Sequence, residues 1–139
     1  MSVQLVRRAS ALISGDGEVS DAELAEIFTP DVVLDLSVRI FNPKVYTGYE
    51  GLREFYAESR EIWESVDLTI REVIEEGERY AVLADARSRA RGSGIEVAAG
   101  VTGVYTASGD RLSQYRLLHP TEADRDLALA EIRAQSSGM

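Results

Sequence analysis

The sequence predicts an α+β fold: a curved antiparallel sheet, a four-strand meander plus short N-terminal strands, wrapped around helices with a pocket between sheet and helix. Three observations predict it. Before Val66 the apolar residues recur every three or four positions, and after it they alternate. The alternating half is cut by Gly77, Gly92-Ser93-Gly94 and Ser108-Gly109-Asp110, turns short enough for hairpins. Between the halves, Tyr46-Thr47-Gly48-Tyr49-Glu50-Gly51-Leu52-Arg53-Glu54-Phe55-Tyr56 reads as a tight turn feeding a long amphipathic helix.

Taken in order, Leu5, Val6, Ala9, Leu12 and Ile13 give a first helix, ended by Gly15-Asp16-Gly17. Ser20 and Glu23 have capping-box spacing, and the short helix they open buries Leu24, Ile27 and Phe28 before stopping at Pro30. Residues 31–38 form a strand with Val32, Leu34 and Leu36 on one face and Val33 and Asp35 on the other. After the Asn42-Pro43-Lys44 turn comes a short strand through Val45-Tyr46. Thr47 and Glu50 again have capping-box spacing, and Leu52, Phe55, Tyr56, Ser59, Ile62, Trp63 and Val66 line one helical face. Strands then span about 67–74, 80–91, 95–106 and 111–119. Thr121 and Asp124 cap a last helix with Ala123, Leu127, Ala130 and Ile132 inward. The whole chain, 1–139, reads as one domain with its core over about 3–133 and a flexible tail at 134–139.

Composition removes several function classes. The chain has 24 acidic and 15 basic residues and a net charge of −9, so nucleic acid and anionic membrane surfaces are not expected partners. It has no Cys and one His, which leaves no thiolate chemistry and no metal site to expect. No apolar run approaches a membrane span and no signal peptide is visible, so a cytoplasmic location is expected. No cofactor is expected either.

The pocket follows from one strand. Val82, Ala84, Ala86, Ser88 and Ala90 make a small, nearly uncharged face, whereas Leu83, Asp85, Arg87, Arg89 and Arg91 make a charged one. Small residues opposite Phe55, Tyr56 and Trp63 leave volume for a ligand. The charged face must be solvated or matched at a subunit interface, with Arg87 and Arg116 as partners for Asp85. Gly100 and Gly103 are the expected sites of sheet bending.

Several patterns in this order carry a family resemblance: Phe28-Thr29-Pro30-Asp31-Val32-Val33, the Tyr46–Phe55 stretch, Arg89-x-Arg91-Gly92-Ser93-Gly94, and Val104-Tyr105-Thr106 to Gly109-Asp110-Arg111 followed by Arg116-Leu117. Together the chain resembles the SnoaL-like proteins of the nuclear-transport-factor-2-like superfamily over about residues 3–133. The resemblance implies an α+β cone, an apolar cavity open at one end and a homodimer through the outer sheet face. Two catalytic sets of that superfamily have no counterpart here. The ketosteroid-isomerase base position falls on Leu36 and its oxyanion-hole Asp on Thr102, and no Tyr precedes Tyr46. The limonene-epoxide-hydrolase positions fall on Ala84, Ala86 and Leu117.

Single residues complete the expectation. His119 alternates onto the face of Tyr115 and Leu117, where an imidazole could move a proton near neutral pH. Asp35 is the carboxylate next to the isomerase base position, one residue out of phase. These two are the candidate catalytic groups. Tyr56, Trp63, Thr102, Tyr115, Leu117 and Leu36 are the candidate ligand-binding residues. The expected ligand is a small, largely apolar molecule of polyketide, steroid or terpenoid type. An acid–base cyclase or isomerase and a non-catalytic ligand-binding or dimerisation module both fit the sequence.

Overall fold

A computed structural model describes residues 2–14, 19–40 and 42–137. The chain forms α1 (Ser2–Ser14), α2 (Asp21–Ile27), β1 (Phe28–Leu36), β2 (Lys44–Thr47), α3 (Gly48–Ile62), β3 (Trp63–Glu76), β4 (Arg79–Ala90), β5 (Glu96–Ser108), β6 (Arg111–His119) and α4 (Arg125–Ser137). The six strands make one curved sheet in the order β2-β1-β6-β5-β4-β3. The meander is antiparallel as expected. The sheet as a whole is mixed, because β1 lies parallel to β6.

Local chemistry explains most of the boundaries. Ser20 Oγ accepts the Glu23 amide at 3.2 Å, so the expected cap opens α2. Phe28 belongs to β1 rather than to α2. Pro30 sits inside that strand with no amide to donate, and the β1–β6 register slips between Phe28 and Val33. Thr47 makes no side-chain cap; the turn into α3 is made by Gly48 with a φ of 70°. Helix α3 stops at Ile62, so Trp63 and Val66 lie on β3 instead of extending the helical stripe. The expected Gly15-Asp16-Gly17 terminator lies outside the described residues.

Among the described residues, the two larger hydrophobic clusters lie on opposite faces of the sheet, and a third joins Leu36, Tyr46 and Leu117. On the inner face, Val6, Ala9, Leu24, Ile27, Leu52 and Tyr56 of α1–α3 pack against Val82, Ala84 and Tyr105. On the outer face, Ala128 and Ile132 of α4 pack against Ala81, Leu83 and Val104. Helix α4 thus buries Ile132 as expected, but with Ala128 beside it, while Ala130 is exposed. The helix also runs on to Ser137, through the stretch expected to be a tail; Gly138 and Met139 lie outside the described residues. Asp124 caps α4 by accepting the Leu127 amide at 3.0 Å.

The charged part of the outer face continues beyond α4. Asp85 pairs with Arg71 at 3.4 Å, not with Arg87 or Arg116; Arg116 reaches Glu131 of α4 instead. The two strand glycines serve close approaches. A Cβ at Gly103 would lie 2.0 Å from Tyr115 Oη, and one at Gly100 would lie 2.5 Å from the Ala123 amide nitrogen. Register shifts accompany the bends, next to Gly103 on β5–β6 and between Ile70 and Glu72 on β3–β4.

Candidate functional site

Between α3 and the inner sheet face lies a chamber of about 200 Å³. Its walls come from Leu34 and Leu36 of β1, Leu52, Phe55 and Tyr56 of α3, and Val82, Ala84, Val101, Tyr105, Tyr115 and Leu117 of the meander. Of the small residues expected on β4, Val82 and Ala84 line the chamber, and Asp85, Arg87, Arg89 and Arg91 do not. A cavity of 150 Å³ is known to admit benzene, so this chamber holds at least one ring. A wider mouth of about 620 Å³ adjoins it, lined by Ile40, Ile62, Trp63, Val66 and Ser88 among others. Chamber and mouth share Ile13, Arg39 and Phe55.

The chamber's polar groups are few and mostly neutral. Burial pushes the Tyr105 phenol up to about 12 despite a hydrogen bond with Ser10. Burial also raises the Tyr56 and Tyr115 phenols, and each is raised further by its proximity to Tyr105. All three therefore stay protonated across the physiological range, with hydroxyls able to donate. The rings lock one another in place: Tyr105 and Tyr115 have centroids 4.6 Å apart, and Phe55 meets Tyr56 edge-on at 5.3 Å. No carboxylate or imidazole lines the chamber among the described residues.

Charge enters where the chamber meets the mouth. Arg39 donates from Nη2 to the Asn42 carbonyl at 2.7 Å and to Tyr46 Oη at 3.2 Å. Tyr46 in turn donates to Glu58 Oε1 at 2.5 Å. That hydrogen bond, assisted by Lys44 at 3.5 Å, holds the Glu58 carboxyl below its usual range. Burial, with the Glu58 bond adding to it, raises the Tyr46 phenol. Lys44 pairs with Glu54 as well and stands 4.9 Å from the centre of the Tyr46 ring. Sequence reasoning missed this Arg39–Tyr46–Glu58–Lys44 cluster. Its one visible signal was an arginine between Val38 and Ile40, in an otherwise apolar stretch.

Of the residues expected at the site, Leu36, Tyr56, Tyr115 and Leu117 converge on the chamber, and Trp63 lines the mouth. The other three do not join them. Thr102 pairs with Leu83 on the outer face, is fully buried, donates to the Glu122 carbonyl at 2.6 Å and accepts the Asp124 amide at 2.8 Å. It pins the loop leading to α4. His119 pairs with Thr102 because Leu118 is an extra residue opposite the Thr102–Gly103 step, and this bulge reverses the alternation beyond Leu117. Its Nδ1 accepts the amides of Thr121 and Glu122 at 3.2 and 3.1 Å, and Nε2 lies 3.6 Å from Glu122. Asp35 keeps the outward phase of its strand. Hydrogen bonds from Ser37 hold its carboxyl below the usual range, with a smaller contribution from Arg116.

Known proteins give the same architecture. A model of the SnoaL-like domain matches residues 6–115. The sequence matches none of the curated proteins significantly. Among solved structures, a hypothetical protein with a ketosteroid isomerase-like fold from Catenulispora acidiphila, in complex with trimethylamine, aligns over 94% of this chain and 92% of its own, at 17% identity and a TM-score of 0.71. A protein assigned as a SnoaL-like polyketide cyclase from Jannaschia sp. CCS1 covers 96% and 92%, at 19% identity and a TM-score of 0.71. TerC, co-crystallised with polyporic acid, covers 94% and 96%, at 17% identity and a TM-score of 0.70. At these identities the likeness is one of fold.

Proposed function

From the premise that this chain belongs to the SnoaL-like domain family, we propose that it binds a small, largely apolar, ring-containing molecule of polyketide, steroid or terpenoid type. The observation that carries this reading is the makeup of the chamber: aliphatic and aromatic walls with neutral hydroxyls of Tyr105, Tyr115 and Ser10. Such a lining excludes water from an apolar body and offers donors to a carbonyl oxygen. The rings fix the plane of a bound molecule. The ligand's route would pass the mouth, where Ile40 and Ile62 are exposed. The description of the Jannaschia protein as a polyketide cyclase and the polyporic acid bound to TerC support the ligand class.

Binding without turnover is favoured over acid–base chemistry because, among the described residues, the chamber's lining carries no carboxylate or imidazole to exchange a proton near neutrality. A second reading, acid–base cyclisation at the mouth, is supported by Glu58: an ionised carboxylate there, hydrogen-bonded to Tyr46, could accept a proton from a ring precursor seated in the chamber.

A thermal-shift panel of aromatic polyketides, steroids and terpenoids tests the proposal. A ligand at 100 times its Kd adds about 2.7 kcal/mol, and Ala84→Phe, which fills the chamber, should abolish the shift. Trp63, the only tryptophan, reports occupancy of the mouth by its fluorescence. No shift with any class would sink the ligand reading, and product formed by wild-type but not Glu58→Gln protein would establish the second one.

A further inference from the structure

The guanidinium of Arg39 is incompletely used. Nη2 makes both of its hydrogen bonds, whereas Nε is buried and has no acceptor among the described residues. No carboxylate forms an ion pair with Arg39 among them; Glu58 is reached only through the Tyr46 hydroxyl. A buried donor on a charged group is costly to leave unpaired, and a cation beside an apolar chamber is costly to leave without a counter-charge. Both deficits lie at one place, the wall shared by chamber and mouth.

Resting on the ligand-binding reading above, we infer that Arg39 anchors an anionic oxygen of the bound molecule, a carboxylate or an ionised enol, while the molecule's ring system fills the chamber. Charge-assisted hydrogen bonds to guanidinium are about twice as strong as neutral ones, and the unpaired Nε–H offers one such donor to a single anionic oxygen. The Tyr46 hydroxyl and the Asn42 carbonyl take up both Nη2 protons and so fix the plane in which Nε–H points. Lys44, 3.5 Å from Glu58, offsets the negative charge that Glu58 would otherwise present to an incoming anion. The selected ligand class is therefore an apolar ring acid, not a neutral hydrocarbon or a cation.

The test is a matched pair of probes, 2-naphthoate and 2-naphthamide, titrated into the full chain by calorimetry at fixed ionic strength. Wild-type protein should prefer the acid by about tenfold or more. Arg39→Met should remove that preference by weakening the acid about tenfold and changing the amide by less than about threefold; Arg39→Lys should retain part of it. Equal affinity of wild-type protein for the two probes, or a preference that survives in Arg39→Met, would overturn the role of Arg39 and leave the chamber reading standing. Binding of neither probe would overturn both. The wild-type comparison needs no variant, so a poorly folded Arg39→Met does not blunt it.

Discussion

Replacing Thr102 by Val should cost stability and leave ligand binding intact. The hydroxyl is fully buried on the outer face, donates to the Glu122 carbonyl at 2.6 Å and accepts the Asp124 amide at 2.8 Å. Valine keeps the shape and deletes both bonds. Two bonds at about 1 kcal/mol each, plus desolvation of the stranded backbone groups, give about 2–4 kcal/mol. For a chain of this size that is roughly 8–16 °C in Tm, at about 4 °C per kcal/mol. Thr102→Ser keeps the hydroxyl and loses one methyl, so it should cost only about 1 kcal/mol. Urea denaturation of the three proteins, with probe titrations of each, separates the effects. A Val variant as stable as the Ser variant would refute the pinning role. A Val variant of normal stability that no longer binds ligand would return Thr102 to the site.

Other perturbations probe other parts of the fold. Gly103→Ala puts a methyl 2.0 Å from Tyr115 Oη and should destabilise by about 1–3 kcal/mol; Tyr115→Leu in the same chain should recover part of that loss, and simple additivity in urea would contradict the contact. Alkaline titration should show stability intact below pH 10 and falling as the pH rises toward about 12, because the Tyr105 phenol titrates higher folded than unfolded; Tyr105→Phe should flatten that limb of the Tm profile. In acid the sign reverses. Asp35, held below its ordinary 3.8, contributes stability that is lost as the pH falls through its folded value, and Asp35→Asn should weaken that dependence. A homodimer through the outer sheet face would have to use its charged end around Arg87 and Arg89, since α4 covers Ala81, Leu83 and Val104. Sedimentation should then show a dimer that Arg87→Glu disrupts, and a wild-type monomer at micromolar concentration would rule that interface out.

Much of this fold was legible because periodicity and turn chemistry agree. The change from a period near 3.6 to a period of two falls at Trp63, within a few residues of its expected place, and each meander hairpin turns on a glycine with positive φ. The inner face of β4 was readable from its small residues alone. What failed depended on events that alternation does not encode. One bulged residue, Leu118, moved His119 to the outer face. Thr102 was placed by likeness to an isomerase position, although strict alternation from Gly103 puts it outside. Arg39 follows the last residue of β1 by three positions, in a loop whose path is set by its own contacts to Asn42 and Tyr46, and no repeat predicts where such a side chain ends.

The second core on the outer face bears on how such a chamber can exist at all. An unfilled void of about 200 Å³ forfeits roughly 5 kcal/mol of packing, at about 24 cal/mol per Å³. That is comparable to the whole net stability of many small proteins. Here Ala81-Val82-Leu83-Ala84 is clamped from both sides, with alternate residues committed to opposite layers. The strands bordering the void are thereby held by α4, on the face opposite the chamber. Residues such as Ala84 and Val101 can then drift in size, and with them the shape of the chamber, while the scaffold stays folded. In such an architecture the void is free to change faster than the frame that holds it.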